Sequence, residues 1–425
     1  MSKIKLAIVG CGGMGHRHLR GLAELHRNHL SHFDVVAACD PVAANANSLA
    51  DEAAEHFGTR PAVVANFDEL AKVGVDAVDI TTTPPYHHTL AVDALAHGWH
   101  AMIEKPVGLT VRACNLIRAA AQQSDRVVSV AENYRRDPIN RMIKALLDAG
   151  VIGQPRLMFH NMVGGGNNMT ISVWRHKKDQ SGVILDVGVH FTDMMEYFLG
   201  DITHVYAQTR LHEPIRYNAA SGDAAGNAEG ATSNPAGVYG KWQKDMPATF
   251  EATAEDAAYA TLTFANGAVC QYTEDHAGHG KGMWVRQIHG SAGSMDLPND
   301  RSGQRMTLYR PGETPISEAG LLELVPDFHL DKATATLFGS DRMWHYELPF
   351  VQTDRKLIAV EYADFAGAIL GEHPIDVDID QGTRSVAIAY AMLESGVAGR
   401  TLTVDEVLNE EVDAYQQDIN ESMGI

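Results

Sequence analysis

Apolar positions in the first third of the chain come in short runs separated by stretches with helical spacing. "IKLAIVG" (4–10), "DVVAACD" (34–40), "VDAVDITT" (75–82), "HAMIEK" (100–105) and "RVVSVAEN" (126–133) read as strands. Between them lie a helix from near Met14, then "ANANSLADEAAEHFG", "HHTLAVDALAHG" and "VRACNLIRAAAQQS". This β-α alternation predicts a parallel, doubly wound sheet. After about residue 155 the pattern changes to "PRLMFHNMV", "ITHVYAQTRLH", "AYATLTF", "GAVCQYTED", "WVRQIHG" and "RMTLYRPG", with Asn266-Gly267 suited to a hairpin turn. Successive strands with few helices between them predict a large, open, mostly antiparallel sheet in an α+β second domain. Helical spacing returns over 346–400, around "VEYADFAGAIL" and "SVAIAYAMLES". The expected architecture is α/β, with one domain over 1–132 and a second over 133–425.

Composition agrees with two domains. The chain has 425 residues, 45% hydrophobic and 21% charged, enough to bury sizeable cores. A formal charge of −20 argues against nucleic acid and an anionic membrane surface as partners. Cys11, Cys39, Cys114 and Cys270 are scattered and read as buried thiols of a reducing compartment. No apolar segment is long enough to span a bilayer, and "MSKIKLAIVG" enters a strand pattern at once, without the pattern of a signal peptide. A cytoplasmic protein is expected. Residues 217–247, opening "YNAASGDAAGNAEGATSNPAGVYG", form a Gly/Ala/Asn-rich insertion that reads as a solvated surface segment, with a functional lid as the alternative. The acidic stretch beyond Arg400 reads as a solvated helix or a packing arm.

Candidate chemistry begins at "GCGGMG" (10–15). Gly10, Gly12 and Gly15 have G-x-G-x-x-G spacing: one for a tight turn, one for close approach of a pyrophosphate, one for helix–strand packing. With Gly13 and Met14 they open a helix whose N-terminus suits phosphates. The next strand ends in Asp40, placed to accept hydrogen bonds from the adenosine ribose, and no Lys or Arg occurs between Asp40 and Arg60 to receive a 2′-phosphate. NAD is therefore expected over NADP. His16 and His18 read as helix-start residues without chemistry.

Two further stretches carry the reaction. "MIEKPVG" (102–108) places Glu104 and Lys105 at the carboxyl edge of the parallel sheet, where an ammonium could hold a developing alkoxide. "GVILDVGVHFTD" (182–193) puts Asp186, His190 and Asp193 on one helical stripe. A satisfied core network, a metal site and an acid–base pair all suit that stripe. No H-E-x-x-H or cysteine cluster accompanies it, so no metal is expected. An imidazole of pKa ~6.5 can take a hydroxyl proton, Asp186 would orient it, and Asp193 reads as a helix or interface contact.

Taken together, "AIVGCGGMG", "TPPYHHTLAVDALAHGWHAMIEKP", "GVIGQPRLM", "GVILDVGVHFTD", "FAGAILGEHP" and "AMLESGVAGR" resemble the Gfo/Idh/MocA oxidoreductases, in order from residue 4 to about 400. The resemblance implies a Rossmann domain joined to an open-sheet α/β domain, with substrate in the cleft between them. It implies Lys105, Asp186 and His190 as catalytic residues. It adds Thr82, Pro84, Glu104 and Lys105 to the cofactor contacts, with either His87 or His88 as the family's histidine; spacing to Ala94-Leu95 favours His87. Substrate contacts are expected from Lys105, Tyr134, Arg135, Asn161, Trp174, Arg175, Asp186 and His190; an indole suits stacking on a sugar ring. The expected activity is NAD-dependent oxidation of a ring hydroxyl of a sugar, glycoside or cyclitol, by a homodimer or homotetramer. A redox-assisted glycosidase or lyase with tightly bound NAD, and a non-catalytic NAD/sugar-binding sensor, are the alternatives.

Overall fold

The computed structural model describes residues 3–221 and 236–425 and divides into two compact units. The first comprises residues 1–133 and 351–383, the second residues 134–350 and 384–425. The linear division at 132/133 thus meets the first crossing of the chain but not the return of residues 351–383.

In the first unit the elements run β1 (Ile4–Val9), α1 (Gly13–Arg27), β2 (Phe33–Cys39), α2 (Ala43–Phe57), β3 (Ala62–Val64), α3 (Phe67–Val73), β4 (Ala77–Ile80), α4 (His87–Ala96), β5 (His100–Glu104), α5 (Val111–Gln122) and β6 (Val128–Ala131). All strands pair in parallel in the order β3-β2-β1-β4-β5-β6. This is the doubly wound sheet expected, with its switch point between β1 and β4. α2 shows why these segments are helical: Ala46, Leu49, Ala50 and Ala53 make one buried stripe, and Gly58, at φ 75°, ends the helix. The helix Phe350–Ile369 packs back onto α1, where a Cβ on Gly21 would lie 2.4 Å from Ile358 Cγ2. Arg17 grips Asp354 at 3.0 and 2.6 Å, and Phe365 stacks on Phe33.

In the second unit α6 (Pro138–Asp148) precedes β7 (Pro155–Gly165), α7 (Val183–Leu199) and β8 (Ile202–Arg210). A two-stranded ribbon, β9 (Ile215–Tyr217) with β10 (Thr249–Glu251), flanks the 217–247 insertion, of which 222–235 lie outside the described residues. Then come β11 (Ala257–Phe264), β12 (Val269–Gly278), β13 (Met283–Gly290), β14 (Ser294–Asp296), β15 (Thr307–Tyr309) and β16 (Leu402–Thr403). They form an eight-stranded sheet, β15-β14-β13-β7-β12-β11-β8-β16, in which only β7 and β12 run parallel. The Asn266-Gly267 hairpin joins β11 to β12 as expected, with Gly267 at φ 86°.

One face of this sheet is covered and the other is open. Ala260, Leu262, Cys270, Tyr272, Met158 and Ile288 are buried under α7 and its neighbours. Tyr206, Tyr259, Met283 and Tyr309 stand on the opposite face, 42%, 37%, 42% and 39% exposed. The C-terminal stretch is a packing arm: Tyr415 and Ile419 are buried, and the Tyr415 and Gln416 N–H groups donate to Glu394 at 2.9 and 3.1 Å. All four cysteines are buried free thiols. Among the described residues no helix is long and apolar enough to cross a membrane.

Candidate active site

The glycine turn between β1 and α1 uses each of its glycines differently. Gly10 has φ 95°, and a Cβ there would lie 2.8 Å from Thr82 N on the loop after β4. A Cβ on Gly15 would lie 2.3 Å from Gly10 O, so the third glycine lets α1 close on the turn. A Cβ on Gly12 would meet nothing within 4 Å. That open side, where Gly13 and Met14 begin the helix, suits a pyrophosphate approaching the backbone. The Thr81 hydroxyl donates to Gly10 O at 2.7 Å and ties the two loops together.

Asp40 directly follows β2. Its Oδ2 accepts from Cys11 N and its Oδ1 from Val42 N, both at 2.8 Å. Each carboxylate oxygen can accept more than one bond, so these contacts leave room for ribose hydroxyls.

The EKP turn is pinned on both sides of Lys105. Glu104 Oε2 accepts the Lys105 N–H at 2.8 Å. His87 faces Pro106 O with Nδ1 at 2.9 Å and Thr82 O with Nε2 at 3.0 Å. Its ring is fully buried and its pKa is pushed down by burial. His87, kept neutral, has one N–H, which can donate to either the Thr82 or the Pro106 carbonyl and so tie the two loops together. Pro84 is buried in the short turn Pro84–Tyr86 that leads into α4. His18 is likewise not the idle helix-start residue expected. It is fully buried, between Asp79 Oδ2 at 2.9 Å and Glu104 Oε1 at 3.0 Å. His16 pairs with Glu52 at 2.6 Å.

In the second unit α7 begins after Gly182 (φ 73°) and stops at Gly200 (φ 84°). It is buried on nearly every side, which explains its apolar composition. His190 lies flat on Tyr134, ring centroids 4.1 Å apart and planes 2° from parallel, and the Arg301 guanidinium lies 4.8 Å from the same Tyr134 ring. Asp186 pairs with Arg175 at 2.5 Å, and that guanidinium lies 4.5 Å over Trp174. Asp193 holds Arg135 in a bidentate pair at 2.6 and 2.8 Å. The stripe's two acids thus each face an arginine, which favours ion pairing over metal binding. Arg135 is a brace on α7. Asn161 departs from expectation: it is on the open face of β7, while neighbouring His160 packs on Phe191 of α7 at 4.4 Å. The structure does not bring Asn161 to this cluster.

The structure also adds groups that the sequence reading passed over. The Tyr272 hydroxyl donates to Glu274 Oε2 at 2.5 Å, and His276 Nε2 lies 2.8 Å from Glu274 Oε1. A Cβ on Gly188, between Asp186 and His190, would lie 3.0 Å from Glu274 Oε2. Burial raises the Glu274 pKa, opposed by His276 and Tyr272 and reinforced by Asp186. Tyr272, Glu274 and His276 alternate along β12, so a polar stripe on a core-facing strand edge was the available signal. His176 is neutral: burial, aided by Arg216, His276 and Arg175, pushes it down to about 3, and its Nε2 accepts from Thr170 N at 2.9 Å.

A glycine turn at the switch point of a parallel sheet, followed by an acid at the end of β2, defines a dinucleotide-binding Rossmann unit. Residues 4–132 match the profile of the oxidoreductase family with an NAD-binding Rossmann fold (Gfo/Idh/MocA), and residues 144–404 match that family's C-terminal alpha/beta domain. The chain belongs to this family. It is 28% identical over 321 residues to a levoglucosan dehydrogenase of Pseudarthrobacter phenanthrenivorans, covering 73% of this chain and 77% of that protein. It is 30% identical over 218 residues to an inositol 2-dehydrogenase of Burkholderia multivorans, covering 50% of this chain and 59% of that one. A levoglucosan dehydrogenase structure in complex with NADH and L-sorbose shares the fold, with a TM-score of 0.73 and 20% identity over 96% of this chain and all (100%) of that one.

Proposed function

We propose that this NAD-dependent oxidoreductase oxidises a ring hydroxyl of a sugar, glycoside or cyclitol, with Lys105 and His190 acting on that hydroxyl. The observation that carries the reading is α7, which seats an imidazole flat on Tyr134 one turn from an arginine-paired acid. The levoglucosan and inositol dehydrogenases among its relatives point to the same substrate class.

The first 132 residues hold the cofactor, and residues 133–425 hold the substrate and subunit contacts. Gly10, Gly12, Gly13, Met14 and Gly15 would bind the pyrophosphate, and Asp40 the adenosine ribose, where a 2′-phosphate would meet like charge. NAD, when bound, accepts the hydride from the carbinol carbon. His190 takes the hydroxyl proton. The Lys105 ammonium donates to the substrate oxygen and holds the charge left as that proton departs. Asp186, ion-paired through Arg175, sets the local charge beside His190, and Trp174 offers a stacking face for a sugar ring.

The test is a panel of sugars, glycosides and cyclitols assayed with NAD and with NADP. Net formation of the reduced cofactor, faster with NAD than with NADP, is expected for at least one polyol. Cleavage of a glycoside without net NADH would replace this reading with the redox-assisted glycosidase. Ligand binding without any turnover would replace it with the sensor.

The protein further acts in the cytoplasm as a homo-oligomer paired through the open sheet face. Exposed Tyr206, Tyr259, Met283 and Tyr309 make that face unlike an ordinary solvated surface. Sedimentation velocity should show a dimer or larger species for the wild type and a smaller one for Tyr259→Asp; a monomeric wild type would end the idea.

A further inference from the structure

The reaction outlined above leaves unexplained a buried chain of polar groups beneath the EKP turn. His18, on the second turn of α1, has no exposed surface, and neither does Asp79 on β4. The two His18 ring nitrogens face two different carboxylates, Asp79 at 2.9 Å and Glu104 at 3.0 Å. A neutral imidazole has one N–H and could serve only one of them; the imidazolium serves both. The chain continues at each end. The Tyr362 hydroxyl, from the helix Phe350–Ile369, donates to Asp79 Oδ2 at 2.5 Å, and Glu104 Oε2 accepts the Lys105 N–H at 2.8 Å.

The electrostatics agree with the geometry. Burial alone would favour a neutral ring, but Asp79 and Glu104 outweigh it and lift the His18 pKa well above its ordinary value. Burial likewise works against the Glu104 carboxylate, yet His18, with Lys105 and Arg17, lowers its pKa to about 2.

We propose that His18 is a positioning residue for Lys105: an imidazolium fixed between Asp79 and Glu104 that orients the carboxylate holding the Lys105 N–H. The inference rests on the reading of Lys105 as the group that acts on substrate. His87 holds the turn from the other side through Pro106 O. The Lys105 main chain is thus fixed before substrate arrives, which is the preorganisation an ammonium aimed at a developing charge requires. Losing the imidazolium would leave two buried carboxylates without their shared cation. Glu104 would then draw the Lys105 ammonium inward, away from solvent and reagent.

Two variants separate the bonds. His18→Asn places an amide near the Nδ1 position and keeps only the Asp79 contact; His18→Gln reaches the Nε2 position and keeps only the Glu104 contact. The readout needs no substrate: the rate at which trinitrobenzenesulfonate labels Lys105 in NADH-bound protein, mapped by peptide mass spectrometry. H18N should slow Lys105 labelling at least about threefold, with other lysines unchanged, and H18Q should restore it to within about twofold of wild type. If H18N does not fold, Glu104→Gln tests the same link with the opposite sign: an amide cannot accept at both oxygens and carries no charge to draw the ammonium inward, so Lys105 labelling should rise at least about threefold. Lys105 labelling within about twofold of wild type in H18N, or in E104Q where that replaces it, overturns the proposal even if the melting temperature falls. The catalytic reading is tested separately with Lys105→Met. If K105M keeps its turnover while H18N still alters Lys105 labelling, His18 positions Lys105 and the role given to Lys105 is wrong.

Discussion

His190→Ala is expected to lower kcat by about 10²–10⁴-fold while leaving NADH affinity near that of the wild type. The imidazole stacks on Tyr134, at 4.1 Å and 2°, and this contact fixes the plane in which its nitrogens lie. Alanine removes the proton acceptor but touches neither the glycine turn nor Asp40, so NADH fluorescence titration should be unchanged. Losing the stacked pair should cost about 0.5–1.5 kcal/mol of stability, visible as a modest fall in melting temperature. Added imidazole should restore part of the lost turnover, a response that a packing defect would not give. Turnover within about tenfold of wild type would show that another group moves the proton. The Glu274–His276 pair, packed against Gly188 on the same helix, would then be the first place to look.

The parallel sheet was legible because the period of the apolar pattern changes from strand to helix and back with each unit. Short elements were not: β3 has three residues and α3 seven, too few for periodicity to register. Nor was the return of residues 351–383 to the first unit. An apolar stripe tells which face of a helix is buried but not what covers it, and the only local hint was Gly21 on α1, where Ile358 needs the room. The site shows the same division. Gly10 and Gly15 lie at the turn from β1 into α1, Asp40 after β2 and Lys105 after β5, the element positions that the strand pattern predicts. Asn161 was lost to parity, because neighbouring strand residues face opposite sides and the choice between His160 and Asn161 depends on the pairing register. His18 was passed over because its partners, Asp79 and Glu104, lie 61 and 86 residues away. The ion pair of Asp186 with Arg175 could not be seen from helical spacing alone.

Lys105→Met should reduce kcat by about 10²–10³-fold, the loss typical of one donor to a developing oxyanion. Methionine keeps most of the apolar stem and removes the charge, so the change isolates the ammonium. Glu104 should stay ionised in this variant, because His18 contributes more than Lys105 to holding its pKa at about 2. The turn should stay in place too, since the Lys105 N–H bond to Glu104 and the His87 contact to Pro106 O involve only the main chain at 105 and 106. The melting temperature is therefore expected to remain near that of the wild type, and the defect to fall on kcat more than on NADH binding. Lys105→Arg should not rescue, since a guanidinium presents a planar fork from a longer stem where a compact charge is needed. Combining Lys105→Met with His190→Ala should cost less than the product of the single effects, because groups acting on one hydroxyl in one step behave as a unit. Full multiplication of the two losses would mean that lysine and histidine serve different steps, and the shared-hydroxyl mechanism would have to be abandoned.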